Sequence, residues 1–152
     1  MTQDRFSAET LRAFLEKERV ATLQDLKSAL GTTGTMTVFR KLKALGYLSS
    51  YSHRGQYYTL QAIPEFDEQG LWGWHAVWFS RYGNLGETAR EFVEEATSGF
   101  TAGELEVLLH VECKSALLQL VRQERLARER LGRAYVYLSQ HPARRRQQRL
   151  QR

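Results

Sequence analysis

The stretch Thr37-Val-Phe-Arg-Lys-Leu-Lys-Ala-Leu-Gly-Tyr-Leu48 decides how the rest of the chain is read. Val38, Leu42 and Leu45 recur at i, i+4 and i+7, which is one inward stripe of an amphipathic helix running roughly from Thr35 to Leu45. Arg40, Lys41 and Lys43 fall outside that stripe, and Gly46 supplies the stop. Beyond it, Leu48 to Ser52 and Tyr57 to Leu60 are β-rich runs joined by His53-Arg-Gly-Gln56, a short glycine-containing hairpin.

Working back from this helix, Gly31-Thr-Thr-Gly34 breaks the chain into a turn. Before it, Thr22-Leu-Gln-Asp25 is a variant capping box in which a threonine and a carboxylate three residues on satisfy orphan backbone N–H groups. It opens a second helix with Leu23, Leu26 and Leu30 on its buried face. A first helix carries Leu11, Phe14 and Leu15 as an apolar stripe, with Ser7 as N-cap. The order is three helices, then a hairpin.

That order occurs twice. Glu9, Thr10, Arg12, Phe14 and Glu16 recur as Glu87, Thr88, Arg90, Phe92 and Glu94, and Leu26 and Leu30 recur as Leu105 and Leu109. Leu42, Leu48, Tyr57 and Leu60 recur as Leu120, Leu126, Tyr135 and Leu138. A displacement of 78 or 79 residues held over an ordered series marks two diverged copies of one unit. In the second copy Asn84 caps the first helix and Thr101-Ala-Gly-Glu104 is a full capping box. Val111 to Glu124 is expected as its third helix, and Leu131-Gly-Arg-Ala134 as its hairpin tip. The expected organisation is 1–62 for the first repeat, 63–83 for an aromatic, acidic connector, 84–140 for the second repeat and 141–152 for a basic tail.

Charge is distributed unevenly along the chain. Residues 1–60 carry nine Lys and Arg against five Asp and Glu, residues 61–100 two against seven, and residues 101–152 eleven against five. Between Asp25 and Glu65 there is no acidic residue at all. A solvated mixed surface explains so long an acid-free window poorly, whereas attraction to phosphates through counterion release explains it directly.

Three helices closed by a two-stranded hairpin resemble the winged helix-turn-helix family, and Thr37 to Leu48 is similar to the recognition-helix segment of its bacterial regulators. Ser49-Ser-Tyr-Ser-His-Arg-Gly-Gln-Tyr-Tyr-Thr-Leu60 looks like the wing. The chain also resembles short bacterial helix-turn-helix proteins. The resemblance covers residues 7–60 closely and 84–138 more loosely. It implies a mostly α fold with small β-hairpin wings, in two tandem winged helix-turn-helix repeats. It also implies that the helix 35–45 enters the major groove while the wing 49–60 meets the backbone or minor groove. Thr35, Thr37, Arg40, Lys41 and Lys43 would then face DNA, with Arg40 forking to a guanine edge and the lysines meeting phosphates. His53 and Arg54 sit at the wing tip, and Lys114, Arg128, Arg130 and Arg133 are the candidate DNA-facing cations of the second copy, whose helix also carries Glu112 and Glu124. Phe39 departs from the pattern, since such regulators place a small polar residue there, and Leu117 repeats the departure. This side of the helix is therefore expected to be partly buried, with the boundary between repeats as one place for it.

The remaining features weigh less. Phe66, Trp72, Trp74, Trp78, Phe79 and Tyr82 fall within 17 residues and are expected to pack the repeats together, with base stacking or partner docking as the alternatives. Arg144-Arg-Arg-Gln-Gln-Arg-Leu-Gln-Arg152 reads equally well as a flexible phosphate-seeking arm and as a solvated tail or helix extension. Cys113 is expected as a small buried apolar residue, against the alternative of a thiol activated by a helix terminus and Lys114. His110 and Cys113 alone are too few ligands for zinc, and no metal or cofactor is expected. No phosphate loop, catalytic triad or paired carboxylate is recognisable, so the chain is not expected to be an enzyme.

The absence of a long apolar run and of an apolar leader behind Met1-Thr-Gln-Asp-Arg5 gives a cytoplasmic, nucleoid-associated expectation with no membrane partner. The expected activity is double-stranded DNA binding, as a transcriptional regulator or mobile-element accessory factor. A homodimer is compatible but not required, because two copies per chain can span adjacent grooves. The rival reading is an adaptor whose tandem winged helices bind protein, since the fold alone does not imply DNA.

Overall fold

A computed structural model describes residues 6–152; the start read above for a leader, Met1 to Arg5, lies outside the described residues. The protein is mixed α+β, with helices and small antiparallel sheets. It divides into two compact units, the boundary falling between Gly83 and Asn84.

In the first unit, α1 (Ala8–Glu18) starts where Ser7 Oγ accepts the Glu9 N–H at 3.2 Å. A short strand, β1 (Ala21–Thr22), leads into α2 (Leu23–Leu30). The box at its start is reciprocal: Asp25 N–H donates to Thr22 Oγ1 and Thr22 N–H to the Asp25 carboxylate, each at 3.1 Å. Gly31 ends α2 at a φ of 82°, a conformation glycine adopts without a Cβ penalty. Helix α3 (Thr35–Leu45) follows, and then β2 (Tyr47–Ser49), a 3₁₀ turn at His53–Gly55 and β3 (Tyr57–Leu60). The strands form an antiparallel sheet in the order β1-β3-β2. Leu11, Leu15, Leu26, Leu30, Val38, Leu42 and Leu60 make the core, so the three helical stripes and the sheet share one apolar interior. Each such side chain contributes about 1.5–3 kcal/mol of transfer free energy, opposed by the ordering of the chain.

The aromatic stretch is a hairpin of this first unit rather than a connector. Strands β4 (Leu71–Trp74) and β5 (Val77–Ser80) pair antiparallel with Trp72 opposite Phe79. Tyr51 N–H donates to the Trp78 carbonyl at 2.9 Å and Trp78 N–H to Ser52 Oγ at 2.8 Å, which ties β5 to the β2–β3 hairpin. Phe79 is fully buried, and Trp72 packs on it at 5.6 Å and against the core of the same unit.

The second unit repeats the order: α4 (Leu85–Glu95), α5 (Ala102–Leu109), α6 (Lys114–Arg122), β6 (Leu126–Leu131) and β7 (Ala134–Ser139). Asn84 caps α4, and Thr101 and Glu104 form the expected box at α5. Ala21 pairs with Tyr58 in the first unit and Phe100 with Tyr137 in the second, a displacement of 79 residues for both partners. Helix α6 is shorter than the span expected for it, because residues 111–113 are needed for the turn that follows His110 at a φ of 63°.

The basic tail is a packed helix, α7 (Pro142–Gln151), and not an arm. Pro142 opens it, since its missing N–H costs nothing in a first turn. Gln148 is fully buried: its Oε1 accepts the Ser139 N–H at 2.7 Å and its Nε2 donates to the carbonyls of Val93 and Ala96. Arg144 donates to the carbonyls of Glu94 and Ala96, so α7 caps the carbonyl end of α4 from outside. Arg145 bonds the Ser139 and Gln140 carbonyls, Arg149 pairs with Glu129 and Arg152 with Glu104. Among the described residues no helix is long and apolar enough to cross a membrane.

Candidate nucleic-acid interface

Helix α3 turns Thr35, Arg40 and Lys43 to the outside, with Thr37 and Lys41 half-buried beside them. Arg40 and Lys43, three residues apart, share one face. Neither has a carboxylate partner among the described residues, and no acidic residue lies between Asp25 and Glu65 to supply one. Met36 is also exposed on this helix, at 81%. The sequence reasoning passed over it, since a lone methionine gives no periodic signal.

Phe39 explains how α3 is held. Its ring packs edge-on against Tyr58 at 5.4 Å and against Tyr47 at 6.1 Å, so it bonds the helix to β2 and β3 of its own unit. Leu117, its counterpart, is fully buried in the second unit. Phe39 is thus accounted for by packing inside its own unit. Burial pushes the Tyr58 phenol above its ordinary pKa, with Tyr47 adding to the shift.

At the tip of the β2–β3 hairpin His53 and Arg54 are exposed and both hold left-handed backbone, at φ 52° and 56°, ahead of Gly55 at 72°. His53 Nδ1 lies 2.9 Å from Ser52 Oγ and its ring stands edge-on to Tyr57 at 5.1 Å. Arg54, by contrast, projects with no acceptor among the described residues.

The second unit carries its cations elsewhere. The positions equivalent to Arg40 and Lys43 hold Leu118 and Val121, so α6 lacks the charged face of α3. Lys114 is exposed at the first turn of α6. On the β6–β7 hairpin, Arg128 and Arg130 lie on one face of β6, with Tyr135 in register opposite Arg130. The Arg128 guanidinium lies over the Tyr135 ring at 4.4 Å and that of Arg130 at 5.9 Å. Arg133 stands at the hairpin tip, while Glu129 points to the other face toward Arg149. The sequence-predicted residues therefore form two sets, one per unit. Tyr135, which orders the second set and is 48% exposed, was legible only as a strand residue.

Among the described residues no group of three or more His, Cys, Asp or Glu side chains is placed to hold a metal ion. Comparison with known proteins finds no family model that matches the chain and no similar curated protein. Among solved structures, the DIP2311 protein of Corynebacterium diphtheriae aligns with 87% of this chain at 16% identity and a TM-score of 0.33. The chain spans 26% of that protein's length. A likeness of this size carries no argument about fold or function.

Proposed function

We propose that this chain is a double-stranded DNA-binding protein built from two winged helix-turn-helix units, acting as a transcriptional regulator or mobile-element accessory factor. In this reading α3 enters the major groove and the β2–β3 wing meets the backbone or minor groove. The observation that carries it is the pairing of Arg40 and Lys43 on one exposed helix face inside an acid-free window. A protein-binding adaptor has no need of such a window. Arg40 has the planar fork that matches a guanine edge, and Lys43 acts as a point charge on phosphate.

Competition binding tests this division of labour. Arg40→Ala is expected to relax preference at one base position and to cost about 1–3 kcal/mol on the preferred duplex. Lys43→Ala is expected to weaken preferred and random duplexes alike. Equal small effects of both on every duplex, or no binding to duplex DNA at low salt, overturn the reading.

A further inference from the structure

The first unit has a second concave feature, on the sheet face away from α3. Tyr57 and Tyr58 are consecutive in β3, so their side chains point to opposite faces. Tyr58 meets Phe39 of α3, and Tyr57 lines an open groove of about 430 Å³ with Lys17, Glu18, Trp74, His75 and Val77. The wing tip, His53 and Arg54, is linked to this face through the contact of His53 with Tyr57.

The walls of the groove are built rather than incidental. Trp74 stacks on Trp72 at 5.7 Å and 23°, and Trp72 in turn rests on buried Phe79, so the Trp74 ring is fixed as a platform. His75 stands edge-on to Trp74 at 4.8 Å. The tight turn that aims it has His75 and Ala76 at φ 48° and 68°, where glycine or asparagine is the ordinary choice. A side-chain-bearing residue held in that region is strained and is retained where the surroundings impose it. The acidic residues of the stretch sit at the other end of the hairpin. Asp67 accepts the Leu71 N–H at the start of β4, a strand length of about 10 Å from Trp74. That exceeds the screening distance of about 8 Å at physiological salt.

We propose that the groove walled by Tyr57, Trp74 and His75 takes one unpaired base of a single strand that leaves the duplex held by α3. The proposal rests on the duplex-binding reading above. Every base offers a flat π-face to an aromatic platform, so stacking is tolerant of sequence. Lys17 stands ready for the adjoining phosphate, and the Glu18 carboxylate accepts from an exocyclic base amine. Because α3 and the groove lie on opposite faces of the wing sheet, an intact duplex reaches only one of them. A strand parting from it around His53 and Arg54 reaches the other.

The test compares a blunt duplex with the same duplex carrying a short adenine overhang, using the full chain. The overhang is expected to raise affinity about tenfold, as expected for one stacked base. Trp74→Ala should remove that gain while leaving blunt-duplex affinity unchanged, and Arg40→Ala should weaken both probes. A 2-aminopurine at the first overhang position, read with the unaltered protein, should lose emission on binding, which does not depend on any variant folding. If the two probes bind equally and the 2-aminopurine signal does not change, the groove is not a base site. It is then left to a protein partner, and the proposal falls while the duplex reading stands. If the overhang strand alone binds with quenching and the blunt duplex does not, the groove assignment survives and the duplex reading fails.

Discussion

At Cys113 two influences on a thiol oppose each other. The residue precedes the first turn of α6, where helix dipole and Lys114 favour a thiolate. Yet the side chain is 1% exposed, and burial with the nearby Glu106 carboxylate pushes its pKa up to about 12. Desolvation wins because the dipole acts through a terminus whose Cys113 N–H is already bonded to Glu106, at 2.9 Å. The thiol is therefore expected to resist iodoacetamide at pH 8 in the folded protein and to react fully in denaturant. The linkage has a sign as well. A pKa raised by folding gives stability that is present below the ordinary value near 9 and is lost as pH rises toward about 12. A native chain that alkylates at pH 8 as fast as the unfolded one would show that the terminus, not burial, sets this group. The sequence favoured the buried reading on the strength of a lone cysteine, and the structure supplies the cause.

At the scale of elements, legibility followed the strength of local signals. The two capping boxes, Thr22 with Asp25 and Thr101 with Glu104, announce α2 and α5 because the same side chains that mark the start also make its bonds. The hairpin β4–β5 lacks such a mark. Its turn is His75-Ala76, with neither residue a turn former, while the glycine that interrupts the run, Gly73, lies inside β4 and so marks the wrong place. Strand β1, two residues long, is set by its pairing with β3 and has no pattern of its own. Helix α7 was obscured differently: Pro142 reads as a boundary although it also suits a first helical turn, and arginine density reads as solvation. What fixes α7 is Gln148, whose amide closes three backbone groups of Val93, Ala96 and Ser139. Gln148→Leu is expected to leave those groups unpaired inside the unit, at roughly 1–3 kcal/mol for each that stays dry. Thermal melting should show a midpoint several degrees lower, with duplex affinity unchanged below the transition. An unaltered melting curve would mean that the helix is a loose appendage after all.

For the whole molecule, the proposed duplex binding raises the question of which cations would meet phosphate, since net charge alone does not say. The chain has a formal charge of +5, but its 22 Lys and Arg are not equivalent. Arg144, Arg145, Arg149 and Arg152 are engaged by acceptors within the second unit, and Arg125 by Glu87 at 2.6 Å. Such groups release few counterions on binding, because their charge is already spoken for or their donors are fixed. Among the described residues Arg40, Lys43 and Arg54 in the first unit and Arg128, Arg130 and Arg133 in the second have no carboxylate partner, the latter three lying along the β6–β7 hairpin. Each phosphate neutralised steepens the fall of log K against log salt by about 0.9. Replacing Arg128, Arg130 and Arg133 together by glutamine is therefore expected to flatten the slope by about two to three, in proportion to three lost phosphate contacts. Preference between cognate and random duplex should survive, because a hairpin that tracks phosphates reads no base edge. Replacing Arg149 and Arg152 by glutamine should leave the slope where it was. The opposite pattern, with α7 setting the slope and the β6–β7 hairpin silent, would require α7 to release its intramolecular partners on binding. Loss of hydrogen-exchange protection at the Ser139 amide, which Gln148 holds, would accompany that release at saturating DNA, so a salt series and an exchange measurement separate the two assignments.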